Sequence, residues 1–566
     1  MSRAKLSLGL DFGTNSVRAL IVDISDGREA ATAVHEYESG QEGILLDPAD
    51  PNLARQNPAD YVSGLESVVK RVLAAARKND RSFDPRDMIG IGVDTTGSTP
   101  IPVDNTGTPL AFQKKWRKNP NAQAWLWKDH TAFAEAALIT ELAARDHPEY
   151  LAKCGGTYSS EWFFSKIFHC LIKDPAVFDA ASSWVECADY IPGLLAGITD
   201  PLRMKRSRCA AGHKAMFNAA WGGLPAEDFL AKLHPKLGAL RRRLYSETRT
   251  SDVAAGRLIP AWAARLKIPA GIPVAVGAFD AHLGAVGSGV AAGRLVKIIG
   301  TSTCDIAVWP NTGHLADIPG LCGIVDGSVL PGYFGLEAGQ SAVGDIFNWF
   351  VSYIQPGGQA RGSHRALTSR AAGLRPGQSG LLALDWNNGN RTVLVDQRLT
   401  GLVLGQTLQT TPAEIYRALI EATAFGGLVI VNRFQEYGVK ISEIVNCGGI
   451  AEKNALLMQI YADVTGREMK LARSAQTCAL GSAIAGAVAA GKSKGSYGSF
   501  EEAQAAMCGL KPRAFRPDPE SHQAYQELFK LYMQLHDAFG TPHPQGSLFN
   551  VMKDLLAIRD RQRKVE

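Results

Sequence analysis

The sequence predicts a mixed α/β protein built from two similar domains that face a central cleft. The chain has 566 residues, too many for a single hydrophobic core. Strand patterns alternate with amphipathic helix patterns, which favours a mixed sheet covered by helices over a sandwich or a bundle. A strand, a Gly-Thr turn and a second strand occur at Gly13 and recur at Gly300, about half the chain later, which indicates a duplicated domain.

The first half opens with an apolar strand pattern at residues 6–10 and a second one at 17–24, and the Gly-Thr turn between them predicts a hairpin. Asn57 and Pro58 are an N-cap and first-turn pair, and they predict the start of an amphipathic helix. Residues 88–93 then form an apolar run typical of a buried strand.

The second half repeats the hairpin pattern around Gly300. Thr411 and Glu414 have the spacing of a capping box and predict the start of a helix. Residues 443–447 predict a strand, followed by a Gly448-Gly449 turn and a helix over 454–465. Aromatic and apolar residues at helical spacing between Tyr525 and Leu535 predict a terminal helix.

These elements divide the chain into an N-terminal domain at 1–290, a C-terminal domain at 291–500 and a helical tail at 501–566. An insertion near 151–244 interrupts the first domain. The sequence therefore predicts two domains of comparable size, with the cleft between them.

Composition indicates a globular protein without a nucleic-acid or membrane partner. Hydrophobic residues make up 46% of the chain and charged residues 20%, and the net charge is only +5. The nine cysteines are odd in number and include no C-x-x-C pair, so we expect reduced thiols and a cytoplasmic location. No leader segment is apparent, and the small-apolar run at 478–491 is too short to span a bilayer.

A phosphate site is one interpretation of the Gly-Thr turns. Asp11 ends a strand, and the glycine, hydroxyls and amides that follow it can surround a phosphate. An ordinary hairpin with an Asx-turn explains the first copy equally well. The second copy at Gly300, Thr301 and Ser302 favours the phosphate interpretation, since two such turns from two domains can hold one polyphosphate.

Other polar residues suggest the rest of a site. Gly448 and Gly449 can let backbone lie flat on a nucleotide, although a tight turn is the simpler interpretation, and no G-x-G-x-x-G pattern is present. Asp280 follows an apolar strand, where an aspartate serves either as a helix N-cap or as a general base. Trp127, Lys214 and the 337–340 stretch have a composition common at sugar sites, but singly each is more often structural. Taken alone, these residues indicate an ATP-using two-domain protein.

Longer runs carry a resemblance to a known family. They are 92–99 (GVDTTGST), 126–130 (LWKDH), 159–162 (SSEW), 279–282 (FDAH), 335–345 (GLEAGQSAVGD) and 384–390 (LDWNNGN). Over residues 6–540 the chain resembles the FGGY carbohydrate kinases. The resemblance implies two actin-like, ribonuclease H-like ATPase domains that close over ATP, Mg2+ and a ketopentose.

The resemblance also implies an activity and residue roles. Within the family the runs are most similar to those of kinases that convert L-ribulose to L-ribulose 5-phosphate in arabinose breakdown. By motif, Asp280 matches the general base and Asp11 the Mg2+-linked aspartate. The sugar site would comprise Gly97, Trp127, Lys214, Asp280 and Glu337. The ATP site would comprise Gly13, Thr14, Asn15, Arg18, Gly300, Thr301, Ser302, Gln340, Gly448, Gly449 and Asn454.

Two alternatives stay open. The first is the same chemistry on D-ribulose, xylulose or a pentitol such as ribitol, since pocket details set the choice of acceptor. The second is a non-sugar ATPase of the actin or Hsp70 type, which would share the Gly-Thr turns but does not need Asp280, Lys214 and Glu337. A homodimer is also compatible with the sequence.

Overall fold

A computed structural model describes residues 4–313, 315–356, 363–542, 548–550 and 553. Its strands are β1 Leu6–Phe12, β2 Ser16–Asp23, β3 Glu29–Glu36, β4 Leu45–Asp47, β5 Asp50–Gln56, β6 Met88–Thr95, β7 Pro100–Val103, β8 Ala124–Trp125, β9 Ser183–Glu186, β10 Ala254–Arg257, β11 Pro273–Ala275, β12 Ala278–Phe279, β13 Arg294–Ile299, β14 Thr303–Pro310, β15 Gly323–Asp326, β16 Tyr333–Ala338, β17 Leu382–Leu384, β18 Leu402–Leu404, β19 Glu443–Cys447, β20 Met469–Ala472 and β21 Leu510–Phe515.

The α-helices are α1 Pro58–Asn79, α2 Phe133–Asp146, α3 Pro148–Ala152, α4 Phe163–Lys173, α5 Pro175–Ala180, α6 Cys187–Ala196, α7 Arg208–Lys214, α8 Glu227–Leu233, α9 Pro235–Arg241, α10 Pro260–Leu266, α11 Asp280–Gly287, α12 Gly344–Trp349, α13 His364–Ala372, α14 Pro412–Glu436, α15 Gly449–Lys453, α16 Ala455–Thr465, α17 Thr477–Ala490, α18 Phe500–Met507 and α19 Pro519–Gly540.

The two large sheets share one topology, which confirms the predicted duplication. The first has the order β10-β11-β6-β1-β2-β3, with β12 beside β6, and the second has the order β15-β16-β14-β13-β19-β20-β21. In the first, β1 pairs antiparallel with β2 and parallel with β6. In the second, β13 pairs antiparallel with β14 and parallel with β19. The two predicted hairpins therefore occupy the same place in their sheets.

Local signals predicted the helix starts correctly. The Asn57 side chain accepts a hydrogen bond from the amide of Ala59, and Pro58 begins α1. Thr411 and Glu414 form the capping box at the start of α14. Capping satisfies amides that have no partner within the helix, so the chain enters each helix at a defined residue.

Two predicted elements differ in the structure. The Gly448-Gly449 turn is confined to Gly448, which has a φ of 95°, because helix α15 begins directly at Gly449. The helical prediction for 501–566 is incomplete, since β21 in this segment pairs with β20 at the edge of the second sheet. The predicted terminal helix is confirmed as α19, and residues 554–566 lie outside the described part.

The small-apolar run at 478–491 forms α17, a helix of the second half that packs against β1, β6 and α11 of the first half. A Cβ on Gly9 or Gly92 would overlap the backbone of Ala479 or Ser482. On its other side α17 lies equally close to α11, where a Cβ on Gly481 would overlap the carbonyl of Leu283. Small residues thus let two helices pack tightly at the base of the cleft.

The insertion has its own hydrophobic core. Its buried residues run from Leu110 to Tyr245, so the separately packed region is wider than 151–244. None of the nine cysteines, all within the described part, forms a disulfide. Among the described helices, none is both long and apolar enough to cross a membrane.

Candidate active site

A cleft of about 1610 Å³ lies between the two halves of the molecule. Residues from both sheets and from the insertion line it. The predicted site residues among them are Thr14, Gly97, Trp127, Lys214, Asp280, Gly300, Thr301, Ser302 and Glu337. The fold therefore brings together side chains that are up to about 320 residues apart in sequence.

Asp280 lies where β12 passes into α11 and faces the cleft. Phe279 holds the N-cap position, and Asp280 is the first helical residue, with its Oδ1 atom 2.7 Å from the amide of Ala281. Burial and then the nearby Asp11 carboxylate raise the pKa of Asp280 to about 7. A carboxyl group with this pKa can accept a proton near neutral pH.

Asp11 and Asp94 are direct neighbours on the parallel strands β1 and β6. Arg18 donates to Oδ2 of Asp11 at 3.0 Å, and Ser482 on α17 donates to Oδ2 of Asp94 at 2.6 Å. Burial raises the pKa of both carboxyl groups, and each lies close enough to affect the other. The first sheet thus presents two adjacent carboxyl groups and one guanidinium beside the Gly-Thr turn.

The two Gly-Thr turns are similar, but the first has four residues (13–16) between the paired strands and the second has three (300–302). The amide of Gly13 donates to the carbonyl of Ser16 at 2.9 Å, and the amide of Gly300 donates to the carbonyl of Ser302 at 2.9 Å. The Thr14 hydroxyl accepts a hydrogen bond from the indole of Trp127 at 3.0 Å. This contact links the first turn to the predicted sugar-binding tryptophan.

Lys214 on α7 and Glu337 on β16 form an ion pair across the cleft. The Nζ atom of Lys214 lies 2.8 Å from Oε1 and 3.0 Å from Oε2 of Glu337. Burial opposes ionisation of Glu337, but the Lys214 ammonium group that donates to it holds the pKa of Glu337 well below its usual range. Both groups are therefore charged at neutral pH, and both can bind sugar hydroxyls.

Lys166 on α4 supports the turn that carries Gly97. Its ammonium group donates to the carbonyls of Ser98 and Leu126, each at 2.8 Å. Burial lowers the pKa of Lys166 to about 7. Glu186 accepts from the amide of Thr99 and from the Ser98 hydroxyl on the same turn. This buried network fixes the wall of the cleft between Gly97 and Trp127.

Several predicted ATP-binding residues do not line the cleft. The Gln340 amide group is bonded to Asp385, Thr423 and Lys297 in the core of the second half. Asn15 donates to the carbonyl of Glu42 at 2.7 Å.

The predicted adenosine residues lie beside the second turn. Asn454 caps α16, and a Cβ on Gly448 would overlap the carbonyl of Ile299, directly before Gly300. Gly449 has open space where a side chain would project. Gly448 and Gly449 thus flank the second Gly-Thr turn, outside the residues that line the main cleft.

Sequence reasoning did not assign roles to two charged residues that line the cleft, Glu161 and Arg391. Burial opposes ionisation of Glu161, but Arg391 and the other cationic side chains around it together lower the pKa of the carboxyl group. Both residues belong to or follow runs noted in the family resemblance, which was the available signal. Glu161 comes from the insertion and Arg391 from the second half, so this pair also faces across the cleft.

The same architecture is found among known proteins. The sequence profile of the FGGY family of carbohydrate kinases matches residues 6–287 with its N-terminal domain and residues 295–490 with its C-terminal domain. The chain belongs to this family. Two ribulokinases, from Vibrio parahaemolyticus and Geobacillus thermodenitrificans, are each 42% identical to this FGGY kinase. The alignments cover 93% and 95% of its chain and 95% of each relative.

Two solved kinase structures share the fold. The xylulose kinase of Rhodospirillum rubrum matches with a TM-score of 0.76 at 23% identity, covering 94% of this chain and 99% of that one. The glycerol kinase of Plasmodium falciparum with ADP matches with a TM-score of 0.73 at 14% identity, covering 94% and 98%. The protein is thus a sugar kinase of the two-domain, actin-like type, an ATP-using family.

Proposed function

We propose that this kinase transfers the γ-phosphoryl group of ATP to L-ribulose, giving L-ribulose 5-phosphate for L-arabinose breakdown. One observation carries the proposal: Asp280 lines a single cleft together with residues of both Gly-Thr turns and the Lys214–Glu337 pair. Such an arrangement serves a phosphate donor at one end and a polyhydroxylated acceptor at the other. Relatives named ribulokinase, at 42% identity over nearly the whole chain, support a ribulose as the acceptor.

The sugar would bind between the insertion and the second half. Lys214 can donate to sugar oxygens and Glu337 can accept from hydroxyls, while Trp127 offers an aromatic face. Gly97 lines the cleft, so its backbone would contact the sugar directly; the ring of Phe279 fills the space where a side chain at this position would project, which explains the glycine. These groups would hold the terminal hydroxyl close to Asp280.

Asp280 would act as the general base. Its carboxylate accepts the proton of the terminal hydroxyl as the sugar oxygen forms its bond to the γ-phosphorus, and ADP leaves with the electron pair of the broken bond. The pKa of about 7 suits this role, since the group is largely deprotonated at the pH of most cytoplasms and still basic enough to take a proton. Closure of the two halves would keep water away from the phosphorus.

ATP would lie along the second half of the cleft. The amides and hydroxyls of the two turns, with Arg18, would bind its phosphates, and the backbone at Gly448 and Gly449 would bind its adenosine. The proposed contacts are Gly13, Thr14, Asn15, Arg18, Gly300, Thr301, Ser302, Gly448, Gly449 and Asn454. Gln340, whose backbone is bonded to Thr303 directly after the second turn, would support that turn and not touch ATP.

Mg2+ fits the carboxylate pair on the first sheet. Magnesium binds through one or two carboxylates together with substrate phosphates, and Asp11 beside Asp94 offers such oxygens. Oδ1 of Asp94 is buried without a hydrogen-bond partner among the described residues, so an acceptor is available there. Asp11 would hold the ion, which would neutralise phosphate charge during transfer.

A coupled assay of ADP release tests the proposal. The acceptors are L-ribulose, D-ribulose, xylulose, ribitol and glycerol, with a reaction lacking any sugar as the control. We expect ADP formation to require a sugar and L-ribulose to give the highest kcat/KM. A higher kcat/KM for another pentulose or a pentitol would identify that compound as the substrate in place of L-ribulose. Rapid ATP turnover that no acceptor changes would instead favour a non-sugar ATPase.

A further inference from the structure

Three side chains of types that commonly bind metal ions lie close together beneath the sugar end of the cleft. Cys209 and His213 lie one turn apart on α7, and His282 lies on α11. One ligand atom of each residue lies within 4.8 Å of the other two, and all three residues are buried. A tetrahedral zinc site has donor atoms about 2.0–2.3 Å from the ion, so modest inward movements would bring these three into coordination.

The ring nitrogens of His282 lack the partners that buried polar groups normally have. Both are buried and have no hydrogen-bond partner among the described residues, whereas Nδ1 of His213 faces the Glu337 carboxylate. A buried polar atom without a partner is costly, and a bound ion would satisfy these.

The surroundings complete a coordination shell. Nε2 of His213 lies 3.0 Å from the Ser328 hydroxyl, which leaves Nδ1 directed at the cluster. Metal-binding histidines usually have such a second partner on the opposite ring nitrogen. Oε2 of Glu337 lies 3.2 Å from Nδ1 of His213 and 3.8 Å from Nε2 of His282. The Glu337 carboxylate is thus close to both imidazoles and can supply a fourth ligand after a small movement.

We propose that Cys209, His213, His282 and Glu337 form a binding site for one divalent transition metal ion of the zinc class. Nitrogen and sulfur donors favour zinc over the hard Mg2+ ion, which prefers oxygen. On binding, the Cys209 thiol loses its proton to solvent and the sulfur bonds to the ion, with no change of oxidation state. His282 and Glu337 line the cleft, so the ion can enter from there.

The ion would join the two halves of the molecule. Cys209, His213 and His282 belong to the first half, whereas Glu337 lies on β16 of the second sheet. A bound ion would fix the Glu337 carboxylate and thereby the Lys214 ammonium group. The site is separate from the proposed Mg2+ position at Asp11 and does not depend on which sugar is phosphorylated.

Metal analysis of the purified full-length enzyme, without sugar or ATP, tests the site. We expect about one zinc ion per chain by mass spectrometry. After removal by a chelator, Co2+ should restore one ion per chain with a thiolate-to-cobalt charge-transfer band in the near ultraviolet. Chelation should also lower the melting temperature, because an ion bound only to the folded state stabilises it.

Cys209→Ala is the decisive variant, and Cys170→Ala is its control, because Cys170 is equally buried but lies on α4 outside the cluster. The first should lose the band and the bound ion, and the second should keep both. His282→Gln should weaken Co2+ binding as an independent check on a second ligand. The proposal is wrong if the wild-type enzyme takes up neither zinc nor cobalt, or if Cys209→Ala binds them as the wild type does. The ADP assay is independent, so either proposal can fail alone.

Discussion

Lys214 from the first half of the chain and Glu337 from the second form a buried ion pair of 2.8 Å at the sugar end of the cleft. Each of the two charges is stabilised mainly by the other. A bound sugar would therefore find a fixed hydrogen-bond donor in Lys214 and a fixed acceptor in Glu337. An ion pair that spans two domains also links sugar binding to closure of the cleft.

Truncating Lys214 or Glu337 to alanine should raise the KM for L-ribulose far more than the KM for ATP. Losing a hydrogen bond to a charged group costs roughly 1.5–3 kcal/mol, which corresponds to a roughly tenfold to 150-fold change in affinity. Steady-state kinetics with each substrate varied in turn measures this. Lys492→Ala, which removes the exposed Lys492–Glu502 pair, is the control and should change neither KM. An effect limited to ATP would contradict the sugar assignment.

Asp11→Asn should raise the Mg2+ concentration needed for half-maximal activity. The substitution removes one negative charge beside the first turn but leaves the Lys214–Glu337 pair intact, so the KM for L-ribulose should change little. Titration of Mg2+ at saturating ATP and sugar measures the shift. Asp23→Asn, at the far end of the same hairpin, should behave as the wild type. If Asp11→Asn keeps the normal Mg2+ dependence, Asp11 has only a structural role in the turn.

Lys166→Met should destabilise the fold and weaken sugar binding together. It leaves the buried carbonyls of Ser98 and Leu126 without their donor, at a cost of about 1–3 kcal/mol each. Urea denaturation and the KM for L-ribulose measure the two effects. Lys173→Met replaces an exposed lysine on the same helix and should have neither. A stable Lys166→Met variant with an unchanged KM would show that the turn does not need this support.

The fold could be predicted where its signals are local in sequence. The hairpins around Gly13 and Gly300 depend on neighbouring residues, and so does the capping box of α14. Edge strand β21 was missed because its pairing with β20 depends on a partner about 40 residues away. The long helical pattern that follows β21 led to the prediction that the whole tail is helical.

The candidate site could be predicted only in part. Asp280 and Glu337 were found because they lie in recognisable runs, and Lys214 was found through its match to the family. Asp94 was not identified as a site residue. Its proposed role depends on lying beside Asp11 on the neighbouring parallel strand, and the spacing in sequence does not reveal that strand pairing. Lys166 was missed for a related reason: lysines are usually exposed, and only the tertiary fold shows this one buried under the turn.

The kcat/KM for L-ribulose should rise with pH up to about 7 and then level off. Burial raises the pKa of Asp280 from its ordinary 3.8 to about 7, and the base works only when deprotonated. Below pH 7 the active fraction therefore falls about tenfold per pH unit, and kcat/KM reports this ionisation in the free enzyme. A profile between pH 5.5 and 8.5 measures it. Lys166 also has a pKa of about 7 and could give a similar pH dependence. If Asp280 is the group that titrates, the fall of kcat/KM below pH 7 must persist in Lys166→Met.

Asp280→Asn should abolish most activity while the protein stays folded and binds ATP. Asparagine keeps the size and the hydrogen bonds but cannot accept the sugar's proton, and general-base catalysis contributes about 10² to 10⁴ in rate. The fall should appear in kcat, with ATP affinity unchanged.

Stability separates the general base from a helix cap. Because the folded pKa of Asp280 is raised, the folded state holds the proton longer than the unfolded state, and stability falls as pH rises from about 4 to about 7. Asp280→Asn removes this penalty, so at pH 8 it should melt at a higher temperature than the wild type. Asp518→Asn, at the N-cap of α19, is the control and should keep full activity, since asparagine and aspartate cap equally well. Near-normal turnover in Asp280→Asn would eliminate it as the base.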